Sequence, residues 1–254
     1  VYKRQFLGGV IFNAANILLS AAIALSGMSV AFPVGVGLAL VLGVLVNYFS
    51  AAKGDPRFIF LGVALIAAAI VMNGIAYKKA QTGQRKTPTK GILIAVAAGV
   101  IMAFFYRFVA ASMDLDDFVS PAPGKLTPYT AVFIFATGVF ASNFLFNTVA
   151  MKRPVEGPPV RIADYFRGGV RTHLVGILGG TIWCIGTSLS MIASGKAGAA
   201  ISYGLGQGAT LVSALWGIVI WKEFRGAPRV SARLNAGMFV LFLVGLGLLI
   251  YAGA

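Results

Sequence analysis

Apolar and polar positions along this chain fall into eight long apolar blocks separated by short polar or basic loops. The blocks cover residues 6–26, 29–49, 58–77, 91–112, 128–151, 172–193, 198–221 and 235–252. A helix rising about 1.5 Å per residue needs roughly 20 residues to cross a hydrocarbon core, so each block predicts a spanning helix. The fold class expected is therefore all-α, a polytopic membrane protein with eight transmembrane helices. The stretch 154–169, PVEGPPVRIADYFRGG, is too polar to span and reads as a loop with room for a short surface helix.

The seventh block breaks the apolar pattern. Within 195–228, GKAGAAISYGLGQGATLVSALWGIVIWKEFRGAP, it carries Tyr203, Gln207, Thr210 and Ser213 at its centre and glycines at 204, 206 and 208. Polar groups at that depth are costly unless they face protein or a water-filled cavity. Tyr203, Gln207 and Thr210 are spaced i, i+4, i+7 and share one face of a continuous helix. Ala214 and Gly217 extend that face with small side chains, which would leave room for a solute. Gln supplies both donor and acceptor, and Tyr a hydroxyl and an apolar ring, so the face suits a small polar neutral ligand.

Composition agrees with the pattern: 58% of residues are hydrophobic and 11% charged, against about a quarter charged in soluble domains. The net charge of +14 does not point to nucleic acid, because the cations sit in loops. One set is Lys78, Lys79, Arg85, Lys86 and Lys90, then Lys152, Arg153, Arg161, Arg167 and Arg171, then Lys222, Arg225, Arg229 and Arg233. The alternate loops hold Lys53, Arg57, Lys125 and Lys196 with the acidic run Asp114, Asp116, Asp117. The positive-inside rule places the first set in the cytoplasm and the C-terminus outside, which for a bacterial protein means the inner membrane. The single cysteine, Cys184, forms no intramolecular disulfide and, with one histidine, supports neither a metal site nor a cofactor. No Asp or Glu lies mid-membrane, and an enzyme would need such groups clustered; the chain reads as a non-enzyme.

The chain also repeats. Laying Gly8-Gly9 over Gly179-Gly180 and reading on without gaps pairs GGVIFNAANILLSAAIALSGMSVAFPVGVGLALV with GGTIWCIGTSLSMIASGKAGAAISYGLGQGATLV. Identities include Gly27/Gly198, Gly35/Gly206, Gly37/Gly208 and Leu40/Leu211; Phe12/Trp183 and Phe32/Tyr203 are conservative. The same register lays the third block over the eighth, and the fourth and fifth have no upstream partner. The expected parent is a ten-helix protein of two five-helix repeats, with its first two helices absent here. Residues 1–5 then read as a non-native or unstructured start, 6–77 as the last three helices of the first repeat, 78–90 as a basic cytoplasmic loop, and 91–254 as a complete second repeat. An odd number of helices per repeat inverts the second half, the 5+5 plan of secondary transporters with a midplane site.

On GGVIFNAANILLSAAIALSGMSVAFPVGVGLALVLG, PGKLTPYTAVFIFATGVF, HLVGILGGTIWCIG and ISYGLGQGATLVSALWGIVIWKEFRGAP, the chain resembles the ten-helix branch of the drug/metabolite transporter superfamily. Within it, the chain is similar to sugar-uptake permeases of the glucose/rhamnose type and their ureide-permease relatives. The resemblance implies uptake of a small polar neutral solute such as a sugar or ureide, often with a coupling proton; a metabolite or drug exporter of the same superfamily is the alternative. Plant ureide permeases carry a Walker-type motif in the central loop; AYKKAQTGQRKTPTKG lacks GxxxxGK[ST], so nucleotide binding is not expected.

Further solute-contact candidates follow from the repeat. Asn13, Asn16 and Ser20 share a face of the first helix, with Asn16 laid over Thr187 and Asn13 over Cys184. Trp183 offers a flat ring for a sugar face. The positions equivalent to Tyr203, Gln207 and Thr210 are Phe32, Val36 and Ala39, so polar contacts concentrate in the second half. Buried amides also serve as interhelical bonds, and that reading stays open for Asn13, Asn16 and the i, i+4 pair Asn143/Asn147. Arg107 is expected to snorkel outward, His173 to sit at a membrane entry, and Glu223 to pair with a surface cation.

Overall fold

The computed structural model describes residues 1–50, 52–80 and 89–253. Every long element is a helix. Helix α1 (Tyr2–Ser26) is followed by a rod from Met28 to Ser50, made of α2 (Met28–Ala31), a π turn (Phe32–Val36) and α3 (Gly37–Ser50). Then come α4 (Pro56–Ala80), α5 (Thr89–Ser112), α6 (Pro128–Lys152), the short α7 (Ile162–Phe166) and α8 (Val170–Ala197). The chain closes with α9 (Ala199–Gly206), α10 (Ala209–Val219) and α11 (Arg229–Ala252). Seven of the described helical spans are long and apolar enough to cross a bilayer. The chain is a polytopic α-helical membrane protein.

The eighth expected span is present but interrupted: block 198–221 forms α9 and α10 with a break at Gln207-Gly208. The short surface helix expected between the fifth and sixth blocks is α7, whose start Asp164 holds, its Oδ2 accepting from the Arg161 backbone N–H at 3.1 Å. The chain start differs from expectation. Helix α1 begins at Tyr2, and Gln5 is fully buried. Its Nε2 donates to the Ala131 carbonyl at 2.7 Å, and Ser112 Oγ donates to its Oε1 at 2.5 Å. A buried amide so satisfied ties α1 to α5 and α6. The basic loop expected over 78–90 lies in large part outside the described residues.

Small residues set the packing. A Cβ on Gly62 would meet the Gly245 carbonyl oxygen at 2.7 Å, and one on Gly245 the Gly62 oxygen at 2.8 Å. Helices α4 and α11 therefore cross backbone to backbone, as close pairs in membranes do. Phe12, Phe105, Tyr106, Phe135, Trp183 and Tyr203 form one chain of ring contacts where α1, α5, α6, α8 and α9 meet. Along α8, by contrast, Leu174, Val175, Ile177, Leu178, Ile182 and Ile185 stay exposed.

The turns pair up by end. The α1–α2 turn meets the loop after α10, where Glu223 reaches Met28 and Ser29. The α8–α9 turn meets the loop after α3, where Lys53 reaches Gly195. Both turns pivot on glycine in a conformation closed to other residues: φ 81°, ψ 164° at Gly27 and φ 80°, ψ 160° at Gly198. The α5–α6 loop is held by Asp114. Its carboxylate accepts from the backbone N–H groups of Ala122 (2.8 Å), Asp116 (3.0 Å) and Asp117 (3.1 Å). Those donors hold its pKa below the ordinary carboxylate range.

Candidate functional site

The interruption between α9 and α10 grows from local sequence. GLGQG places three glycines in five residues, and each glycine weakens a helix interior by about 0.8–1 kcal/mol relative to alanine. The amide of Gln207 still bonds Tyr203 O (3.1 Å), but Gly208 N bonds Leu205 O (2.9 Å), Thr210 N bonds Gln207 O (3.1 Å) and Leu211 N bonds Gly208 O (3.0 Å). The ladder thus shortens from i−4 to i−3 for one turn. At the 171-residue offset the chain is also irregular: the π turn Phe32–Val36, where Pro33 lacks an N–H, lies over 203–207 and ends at the position aligned with Gln207. Irregular backbone at membrane depth persists only inside protein or along a watered cavity.

Two polar side chains at the break are left open. Gln207 is half-buried and makes no side-chain hydrogen bond among the described residues, while Thr210 Oγ1 is buried without a partner. A buried hydroxyl in that condition costs about 1–3 kcal/mol. Tyr203 is placed differently. The break separates it from Gln207 and Thr210, and it is buried with its hydroxyl between the carbonyls of Ala39 (3.0 Å) and Met102 (3.3 Å). Its ring lies 5.4 Å from Tyr106 and 5.8 Å from Phe105. The room expected beside Ala214 and Gly217 is absent. Ala214 is fully buried, and a Cβ on Gly217 would meet Ser29 Cβ at 2.9 Å, so these small residues admit α2 rather than a solute.

The helix α1 candidates divide. Asn13 Nδ2 donates to Ser142 Oγ at 3.0 Å and to Val139 O at 3.2 Å, a bond across to α6. Asn16 is exposed one turn later, with Ser20 Oγ donating to its carbonyl at 3.0 Å. Trp183 stacks on Phe12, the residue laid over it at the 171-residue offset, with centroids 5.0 Å apart and planes at 25°. Thr187 is half-buried on α8. Asn13→Ala is expected to lower unfolding stability in detergent by about 0.6 and at most about 1.7 kcal/mol, the range for interhelical bonds in membranes. Uptake KM should stay unchanged, as paired thermal-shift and uptake assays will read.

Elsewhere, Asn147 Nδ2 donates to Asn143 Oδ1 at 2.9 Å, and His173 packs edge-on against Tyr165 at 4.9 Å. Glu223 makes no ion pair among the described residues. Its carboxylate accepts from Met28 N (2.9 Å), Ser29 N (2.8 Å) and Ser29 Oγ, correcting the expected surface cation partner. The free N–H groups of a helix start hold a carboxylate better than a solvated cation does.

Sequence reasoning missed a serine pair linking α8 to α9. Ser190 and Ser202 exchange side-chain and backbone hydrogen bonds, and Tyr106 OH reaches Ser190 O at 3.4 Å. It also missed Asn47, buried on α3 with Nδ2 donating to Gly43 O at 2.7 Å. Asn47 lines a cleft of about 500 Å³ with Ser50, Arg107, Asp114, Asp116 and Lys125. Asn47 and Ser50 lie one turn apart on α3, Arg107 on α5, and Asp114, Asp116 and Lys125 in the α5–α6 loop, so no single spacing in the sequence announces the cleft.

Comparison with known proteins places this architecture. The ureide permease family model matches residues 77–252. Ureide permease 1 of Arabidopsis thaliana is 23% identical over a 296-residue alignment covering 95% of this chain and 76% of its own length. Ureide permease 2 is 22% identical, covering 95% and 75%. Ureide permease 5 is 30% identical over 169 residues, 65% of this chain and 40% of its own. No solved structure matches. With the family model spanning more than half of its residues, the chain belongs to the ureide permease family.

Proposed function

We propose that this protein is a secondary transporter for a ureide or a chemically related small polar neutral solute, working by alternating access. The observation that carries this is the interrupted α9–α10 span, where Gln207 and Thr210 Oγ1 make no side-chain hydrogen bond among the described residues. Transporters place their solutes against broken helices of this kind. A ureide carries amide N–H donors and carbonyl acceptors in one plane and no net charge. A carboxamide and a hydroxyl can meet both kinds of group.

Alternating access is supported by the matched halves. Gly27 and Gly198, equivalent in the repeat, adopt the same backbone conformation. The equivalent rings Phe12 and Trp183 stack on each other, and the backbone irregularities of the two copies overlap at the aligned pair Val36/Gln207. Two inverted halves rocking about such a centre expose a site first to one side and then to the other. In this reading Trp183 and Asn16 border the solute from α8 and α1, and Tyr203 braces the break. The Lys- and Arg-rich loops face the cytoplasm of a bacterial cell, and a proton is the coupling ion.

The test is counterflow in proteoliposomes holding the full chain. Vesicles preloaded with unlabelled allantoin are expected to accumulate labelled allantoin above empty vesicles, and an imposed proton gradient should raise the initial rate. Equal accumulation in loaded and empty vesicles would overturn the reading. Counterflow of glucose in place of allantoin would move the solute to the sugar class.

A further inference from the structure

The two glycine turns that the repeat relates are each held by one charged side chain from the opposite half. Glu223, just beyond α10, reaches the α1–α2 turn. Its carboxylate accepts from Met28 N at 2.9 Å, Ser29 N at 2.8 Å and Ser29 Oγ, and lies so close that a Cβ on Gly27 would meet Oε2 at 2.9 Å. Lys53, just beyond α3, reaches the α8–α9 turn. Its Nζ donates to Gly195 O at 2.7 Å, and a Cβ on Gly198 would meet its Cβ at 2.9 Å.

Each charge suits the helix end it meets. The carboxylate sits on the free N–H groups that start the Met28–Ser50 rod. The ammonium sits on a carbonyl in the last turn of the 28-residue α8. Helix starts attract anions and helix ends attract cations. The two contacts lie at opposite ends of the bundle, since the α2–α3 rod and α9–α10 each run from one end to the other. Both cross between the halves: second half onto first at Glu223, first half onto second at Lys53.

We propose that Glu223–Ser29 and Lys53–Gly195 are the two gate latches of the transport cycle, one at each end, released in alternation. The proposal rests on the alternating-access reading above. Rocking one half against the other must part the halves at one end while they stay closed at the other. These contacts span that division and join a side chain to the turn about which each half pivots. Glu223 and Lys53 are then positioning residues: they touch no solute and set which end is open.

The experiment uses the full chain with Cys184→Ser in nanodiscs, where a membrane-impermeant maleimide reaches both ends. Ser26→Cys reports the first end and Ser194→Cys the second; the native serines are 6% and 0% exposed. Glu223→Ala is expected to speed labelling at position 26 by about fivefold or more, because a buried thiol reacts in proportion to its open population. Position 194 should react no faster. Lys53→Ala should do the reverse, and Lys53→Arg should restore the slow rate. Unchanged labelling at a variant's own end would overturn the proposal. So would both reporters speeding up together in either variant, which is general loosening. Uptake on the same proteins separates the two readings: this end-specific pattern without allantoin counterflow removes the transport reading alone, and counterflow with unaltered labelling removes the latches alone.

Discussion

Gly43→Leu is expected to leave no folded protein after extraction into mild detergent. A Cβ at position 43 would lie 2.5 Å from Cζ and 2.8 Å from the hydroxyl of Tyr203, well inside contact distance. The ring cannot withdraw. It is 1% exposed, bounded by Phe105 and Tyr106, and its hydroxyl is fixed against the Ala39 and Met102 carbonyls. Gly43 cannot yield cheaply either, because its carbonyl accepts from buried Asn47 at 2.7 Å. Overpacking of a rigid core costs about 1–3 kcal/mol for added methylenes, so Gly43→Ala should survive with a lowered melting temperature while leucine should not. Tyr203→Leu in the same chain should recover part of the loss from Gly43→Ala, and Tyr203→Phe should recover none. Size-exclusion chromatography and thermal shift of the four proteins check this. A monodisperse Gly43→Leu protein melting like the parent would show that α3 and α9 do not meet as described.

Gln207→Leu is expected to cut allantoin uptake about tenfold or more while leaving insertion and melting temperature unchanged. Gln207 makes no side-chain hydrogen bond among the described residues, so its removal breaks nothing in the resting fold. In the occupied state a leucine would leave a solute amide unsatisfied, at about 1–3 kcal/mol, and the loss should appear mainly in KM. Gln207→Asn, which keeps the amide on a shorter stem, should fall between. Uptake curves at graded allantoin concentration read the split; an unchanged KM in the leucine variant would remove Gln207 from the site.

The spanning helices were legible in the sequence because twenty apolar residues in a row leave the chain few alternatives. Seven blocks became continuous spans with ends shifted by a few residues. The eighth is continuous by length and hydropathy alone, yet Gly204, Gly206 and Gly208 carry the signal of a weak helix. The turn glycines were legible through the repeat, since Gly27 and Gly198 align and take the same conformation.

What the sequence hid depends on partners far along the chain. Spacing put Tyr203, Gln207 and Thr210 on one face, but the identity of their neighbours is a matter of packing. Tyr203 turned to α3 and α5. Spacing alone fits Asn13 equally to a solute or a neighbouring helix; the structure puts Ser142 Oγ 3.0 Å from its Nδ2. Glu223 looked like a solvated charge because its donors, Met28 and Ser29, lie almost two hundred residues earlier.

The most direct test of the account is the reactivity of position 207. In the Cys184→Ser chain, Gln207→Cys should be modified by a water-soluble methanethiosulfonate, because a pathway that admits a polar solute to the α9–α10 break also admits the reagent. Allantoin at saturating concentration should slow that modification severalfold. A thiol at 207 that never reacts, or that reacts equally fast with and without allantoin, would contradict a solute site at the break.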